Sequence, residues 1–126
     1  MKVKLWDDLT PAQKVRRWEG VERVMKKLTP HQRKKHFDMG TWGEKTECGT
    51  VGCVGGHCGL DRNFMRQGFR MHLSGDDTTF SVEPDMFFGA PGFYRVFLKT
   101  SASYKESRAN ISRYLKQLRA HERFFR

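Results

Sequence analysis

Three cysteines and one histidine fall within thirteen residues, Cys48-Gly49-Thr50-Val51-Gly52-Cys53-Val54-Gly55-Gly56-His57-Cys58-Gly59-Leu60, and no Lys, Arg, Asp or Glu interrupts the run between Glu47 and Asp61. Thiolates and an imidazole are the ligands that Zn2+ prefers, and Cys53 and His57, four apart, share a face if the run is helical. Cys48, Cys53 and His57 are therefore the candidate metal ligands. Two features weigh against them. Structural zinc sites usually draw ligands from two knuckles, whereas this chain has no second Cys/His cluster, so His36, His72 or His121 would have to complete the set. Cys58 lies about 140° round a helix from Cys53 and does not easily join the same site.

The alternative chemistry is nucleophilic. A helix N-terminus lowers the pKa of a nearby thiol, so Cys48 at a helix start would be available as thiolate. His72, on a predicted strand with Asp76 or Asp77 behind it, would be its base. Glu47-Cys48-Gly49 resembles the D-C-G-x-x-C opening of the bacteriocin-processing peptidases, a resemblance that implies a cysteine hydrolase, although the sheet holding the histidine in such enzymes has no counterpart here. A third reading needs no reaction. Free Cys behaves as a small buried hydrophobe, Gly admits close neighbours, and one mechanism then explains every small residue of the box. We adopt it: no catalytic residue, no metal, no cofactor and no enzyme.

The elements around the box are set by local signals. A helix is predicted to begin near Cys48 or Gly49, with Gly52/Gly56 and Gly55/Gly59 leaving two faces without bulk. Val3, Leu5, Trp6 and Leu9 are expected to dock the N-terminal lead-in. Thr10-Pro11 is a helix start, and Val15, Trp18, Val21, Met25 and Leu28 recur at helical spacing. Lys14, Arg17, Arg23, Lys26 and Lys27 fall on its polar side. Thr29-Pro30 starts a second helix over 30–37, and Phe37, Met39 and Trp42 form an apolar hook. Asp61 caps a turn over 62–68 with Phe64 and Met65 inward. Phe69, Met71 and Leu73 alternate, Ser74-Gly75-Asp76-Asp77 supplies a turn, and Thr78 to Val82 completes a hairpin. Pro84 to Phe88 is one helical turn closed by Gly89, whereas 93–98 has no clear period. Ser101 or Ser103 caps a last helix with Ile111, Tyr114, Leu115 and Leu118 on its apolar face. The predicted class is mainly α (α+β): a single small helical domain, 1–126, around a Gly/Cys-rich central helix with one β-hairpin.

The 126 residues are only 37% hydrophobic, yet include ten Phe, three Trp and three Tyr, enough aromatic bulk to close a core. No apolar run nears the roughly 18 residues of a membrane span, and the N-terminus lacks a signal peptide's apolar region, so a cytoplasmic protein with no membrane partner is expected. An odd cysteine count in that compartment favours reduced thiols. The net charge of +10 is uneven. Residues 1–36 hold eleven Lys/Arg against four acids (+7), 37–98 hold five against eight (−3), and 99–126 hold eight against two (+6). Two basic ends suit a polyanion or an acidic protein. The candidate nucleic-acid-binding residues are Arg17, Arg23, Lys26 and Lys27 on the first helix and Arg113, Lys116 and Arg119 on the last. No helix-turn-helix, zinc-finger or ribonucleoprotein spacing is present, so contact is expected with the phosphate backbone rather than with bases. The alternative is an acidic host protein, with His121 to Arg126 as an anchor, although Phe124 and Phe125 are expected to fold back on the core.

Phe37-Asp38-Met39-Gly40-Thr41-Trp42-Gly43, followed by Cys48 to His57, resembles a family of small bacterial and phage proteins, of no assigned function, that share an F-D-M and then a C-G-T-x-x-C-x-x-G-[HW] pattern. Leu60 to Arg70 and Phe87-Phe88-Gly89 are similar to the downstream segments of such proteins. The resemblance covers about residues 37–98 and implies a shared fold and a mobile-element or phage origin, with no catalytic role carried over. Cys58 departs from it, standing where such proteins have Ala. The expected function is a small basic binding protein that contacts a nucleic-acid phosphate backbone; the alternative is a phage-type modulator of a host protein.

Overall fold

The computed structural model describes residues 3–46, 49–74 and 77–124. Both Thr-Pro pairs start helices as predicted. The Thr10 hydroxyl accepts from the Gln13 N–H at 3.2 Å while the Gln13 carboxamide accepts from the Thr10 N–H at 2.9 Å, opening α1 (Pro11–Lys26). Thr29 and Gln32 repeat the arrangement for α2 (Pro30–Lys35). The core is aromatic. Trp18 of α1 is its hub: the indole N–H donates to the Phe88 carbonyl at 3.0 Å, and the ring meets Phe88, Phe97 and Tyr114. Phe64, Phe69, Phe87, Phe88 and Phe97 are all buried around it, each ring pair worth about 0.5–1.5 kcal/mol beyond its buried area. So few hydrophobes close a core because these ones are large.

The box departs from the expected helix. Gly49–Val51 is β2, antiparallel to β1 (Glu44–Thr46), and α3 (Val54–Gly59) begins only after Cys53. Thr50 and Val51 are β-branched and Gly49 and Gly52 are poor helix formers, so strand pairing wins over a longer helix. Cys48 lies outside the described residues. Main-chain bonds stitch the hook to the box: the Gly52 N–H donates to the His36 carbonyl, the Asp38 N–H to the Gly52 carbonyl and the Cys53 N–H to the Thr41 carbonyl. Although short, α3 is central, with Val54, Gly55, Gly56, Cys58 and Gly59 buried. Trp42 lies on the face its glycines leave bare. A Cβ at Gly55 would sit 2.5 Å from the Trp42 ring, and one at Gly56 would sit 3.0 Å from the Trp42 carbonyl carbon and closer still to its oxygen.

Asp61 caps α4 (Arg62–Arg66) through the Phe64 N–H at 3.2 Å. The predicted hairpin forms as β3 (Met71–Ser74) and β4 (Asp77–Phe80), paired from Met71↔Phe80 to Ser74↔Asp77, its turn residues Gly75 and Asp76 lying outside the described residues. It is shorter than expected because the Ser81 hydroxyl engages the Gly68 carbonyl and the Arg70 N–H. Next, α5 (Pro84–Phe88) ends at Gly89, whose φ of +90° only glycine adopts readily, with the Trp6 ring 2.5 Å from where a Cβ would be. The short α6 (Ala90–Gly92) runs into a π-helical turn, Phe93–Phe97, closed by the Leu98 N–H on the Phe93 carbonyl five residues back. That wider winding is why 93–98 shows no ordinary period. Finally, Ser103 rather than Ser101 caps α7 (Tyr104–Phe124), exchanging bonds with Glu106. The fold is mainly α, with the predicted hairpin and a further short ladder. No helix among the described residues is long and apolar enough to cross a membrane.

Candidate functional site

The two basic helices lie side by side. From the N-terminus of α7 onward, the Tyr104 hydroxyl donates to the Met25 carbonyl at 2.6 Å, the Ser112 hydroxyl to the Glu22 carboxylate at 3.4 Å, and Arg119 to Glu19 at 3.1 Å. Contacts descending α1 as they ascend α7 make the pair antiparallel. The basic first third of the chain and its basic end therefore share one surface. The positive helix α2 joins at the Tyr104 end, where Arg33 and Arg108 lie 4.7 and 6.0 Å from the Tyr104 ring centre.

Five of the seven candidate residues are exposed, Lys26, Lys27, Arg113, Lys116 and Arg119, although Lys27 lies toward Asp61 at the cap of α4 rather than at the α7 seam. The seam acids are answered by cations, Glu22 by Lys26 at 3.5 Å and Glu19 by Arg119 at 3.1 Å. Arg113 and Lys116 make no ion pair among the described residues, which leaves their charge to solvent. Arg23 is half-buried and committed elsewhere. Its two terminal nitrogens meet both Asp61 oxygens, at 3.3 and 2.8 Å, tying α1 to the cap of α4, and Lys27 stands 3.8 Å from the same carboxylate. Burial raises the Asp61 pKa, but the Arg23 bonds, the Phe64 N–H and the Arg23 and Lys27 charges outweigh it and hold the carboxyl below its ordinary value.

Arg17 does not belong to the surface. It is only 7% exposed and donates to the Lys4 and Phe87 carbonyls at 2.9 Å, with its guanidinium 3.7 Å from the Phe87 ring centre. The signal was present: Arg17 precedes Val21 by four residues and Val24 by seven, placing it on the buried face of α1. Conversely, exposed Arg16 lies seven residues from Arg23, and exposed Arg123 four from Arg119. The same periodicity adds Arg123 to the basic face of α7, whereas Arg16 follows Arg23 to the side of α1 that meets α4, where it lines a cleft with Arg66.

The box is arranged for packing. Cys53 and Cys58 are buried free thiols; burial pushes Cys53 up to about 11 and Cys58 well above its ordinary value, which disfavours the thiolate that nucleophilic attack requires, and Cys48, the third candidate thiol, lies outside the described residues. His57 donates from Nε2 to the His36 carbonyl at 2.7 Å and stacks on Phe37, while burial lowers its pKa. Among the described residues no three His, Cys, Asp or Glu side chains gather to hold a metal. The hydrolase reading depends on Cys48, outside the described residues, and on Asp76, also outside them, or Asp77, which is exposed on β4 opposite Ser74; His72 is exposed on β3 opposite Thr79.

One surface feature corrects the sequence reading. Phe124 does not fold back on the core but is 82% exposed at the end of α7, and Phe125 lies outside the described residues. Leu118 is the last described residue of α7 packed against the core. No protein-family model matches this chain, and no curated protein or solved structure matches it either.

Proposed function

We propose that the protein is a non-enzymatic binding protein whose α1–α7 face contacts a nucleic-acid phosphate backbone. The antiparallel packing of two basic helices supports this most, because it gathers cations from both ends of the chain into one strip. Their flexible, exposed side chains suit phosphates, which carry no sequence information, so binding is independent of sequence. Each neutralised phosphate releases counterions, so log affinity falls linearly with log salt by roughly 0.7–0.9 per contact. Arg113→Gln with Lys116→Gln should weaken binding on all sequences alike and reduce that slope by about 1.4–1.8. An affinity indifferent to both salt and this double substitution overturns the reading.

Exposed Phe124 beside Arg123 favours a second reading, since Phe and Arg are common interface anchors. The partner would then be an acidic host protein, met by a phage-type modulator. Capture from a bacterial lysate that survives nuclease and fails in Phe124→Ala selects this alternative.

A further inference from the structure

We propose that the cleft between α1 and α4 binds a phosphomonoester, at a site that adjoins the α1–α7 face through Arg16 and is set apart from it by Arg17 and Arg66. Arg17 is the starting point. Its guanidinium is buried, yet no carboxylate lies within ion-pair distance of it among the described residues. Among those residues only uncharged groups receive it: two carbonyls on one terminal nitrogen, the Gln67 carboxamide oxygen at 3.5 Å from the other, the Phe87 ring centre 3.7 Å away, and no partner at Nε. Buried charges are ordinarily paired, because removing them from water is costly. Burial lowers the pKa of Arg17 to about 10, with no neighbouring acid to oppose it.

Above Arg17 lies a cleft of about 440 Å³, within the size range of small-ligand sites. Lys4, Arg16 and Arg66 join Arg17 in lining it, Gln13 and Gln67 add carboxamides, and no acid among the described residues does so. Four cations around one cavity repel each other when it is empty of anions. A single carboxylate would answer one of them, whereas a phosphate dianion answers two and offers several acceptor oxygens to the guanidinium forks. A second hollow of about 460 Å³, over Gly20 and Phe64, shares Arg16, Arg66 and Gln67 with the first. It gives the organic part of the phosphomonoester an adjoining place. Glu19 borders this second hollow and also receives Arg119 in the α7 seam, whereas Arg113 and Lys116 line neither hollow, so occupying the cleft requires nothing of them.

Titration of the whole chain with inorganic phosphate, AMP, and matched oligonucleotides bearing a 5′-phosphate or a 5′-hydroxyl tests the site. Saturable binding is expected for phosphate, with a shift of the Arg17 Nε–H resonance. Arg16→Gln with Arg66→Gln, two exposed positions, should weaken it at least tenfold, while Arg113→Gln with Lys116→Gln leaves it within twofold. AMP binding more tightly than phosphate identifies a free phosphorylated metabolite; preference for the 5′-phosphorylated strand identifies a strand end. No saturable binding of any probe, or binding that the Arg16/Arg66 double substitution leaves intact, overturns the proposal.

Discussion

Replacing Gly56 with alanine adds a single methyl group to α3 and tests whether the glycines of the box exist to admit the Trp42 segment. In an exposed helix interior the change would stabilise by about 1 kcal/mol. Here the new Cβ would sit 3.0 Å from the Trp42 carbonyl carbon and nearer to its oxygen. Those are backbone atoms, in a segment held to the box by the bond from the Cys53 N–H to the Thr41 carbonyl, so they do not swing aside as a side chain would. Overpacking costs about 1–3 kcal/mol, and an immovable neighbour places this site at the upper end. After the propensity gain, a net loss of about 2 kcal/mol remains. At an unfolding entropy of about 2.1 cal/mol/K per residue, a chain of 126 residues loses about 4 °C of Tm per kcal/mol, so Gly56→Ala should melt about 8 °C below the parent. Gly20→Ala is the control, because its Cβ would meet only the tip of the Phe64 ring at 3.0 Å. It should melt within about 2 °C of the parent, since the propensity gain and the mild strain offset each other. Thermal melts followed by circular dichroism, with urea unfolding at unchanged m-value, measure both. A Gly56→Ala protein no less stable than Gly20→Ala refutes the packing role of the box.

Asp61→Asn removes the charge that both caps α4 and receives Arg23, and should cost about 1–3 kcal/mol in urea unfolding. The folded carboxyl has the lower pKa, so in acid the unfolded chain binds the extra proton. The stabilisation is complete above the unfolded Asp value of about 3.9 and is lost as pH falls below it towards the folded value. Unfolding between pH 6 and 2 should therefore show a shallower acid loss in Asp61→Asn than in the parent; equal slopes would remove Asp61 from the account. For the thiols, a pKa of about 11 leaves roughly one Cys53 in a thousand ionised at pH 8. In a Cys48→Ser protein, a thiol reagent at that pH should titrate neither Cys53 nor Cys58 until denaturant is added; rapid labelling of the folded protein would contradict their burial.

Features whose cause lies within a few residues were legible in the sequence. Thr10-Pro11 with Gln13, Thr29-Pro30 with Gln32 and Asp61 with Phe64 each close a cap across three positions, and a three-residue contact survives any tertiary arrangement. The apolar stripe of α1, the hairpin at 71–80 and the uneven charge of the two ends are equally local patterns. Tertiary structure decided what depended on distant partners. The box begins as a strand because residues 44–46 are there to pair with it, and its glycines are read correctly only beside the Trp42 backbone. Arg17 and Arg23 look like their solvent-facing neighbours by residue type. One is buried by carbonyls 13 and 70 residues away and the other is claimed by Asp61, 38 residues on. A charge on a helix states only that it needs a polar partner. Its spacing from Val21 and Val24 turns Arg17 inward, but whether a carbonyl or a carboxylate meets a charge depends on which segments the packed aromatic core brings within hydrogen-bonding reach, and no spacing along the chain encodes that.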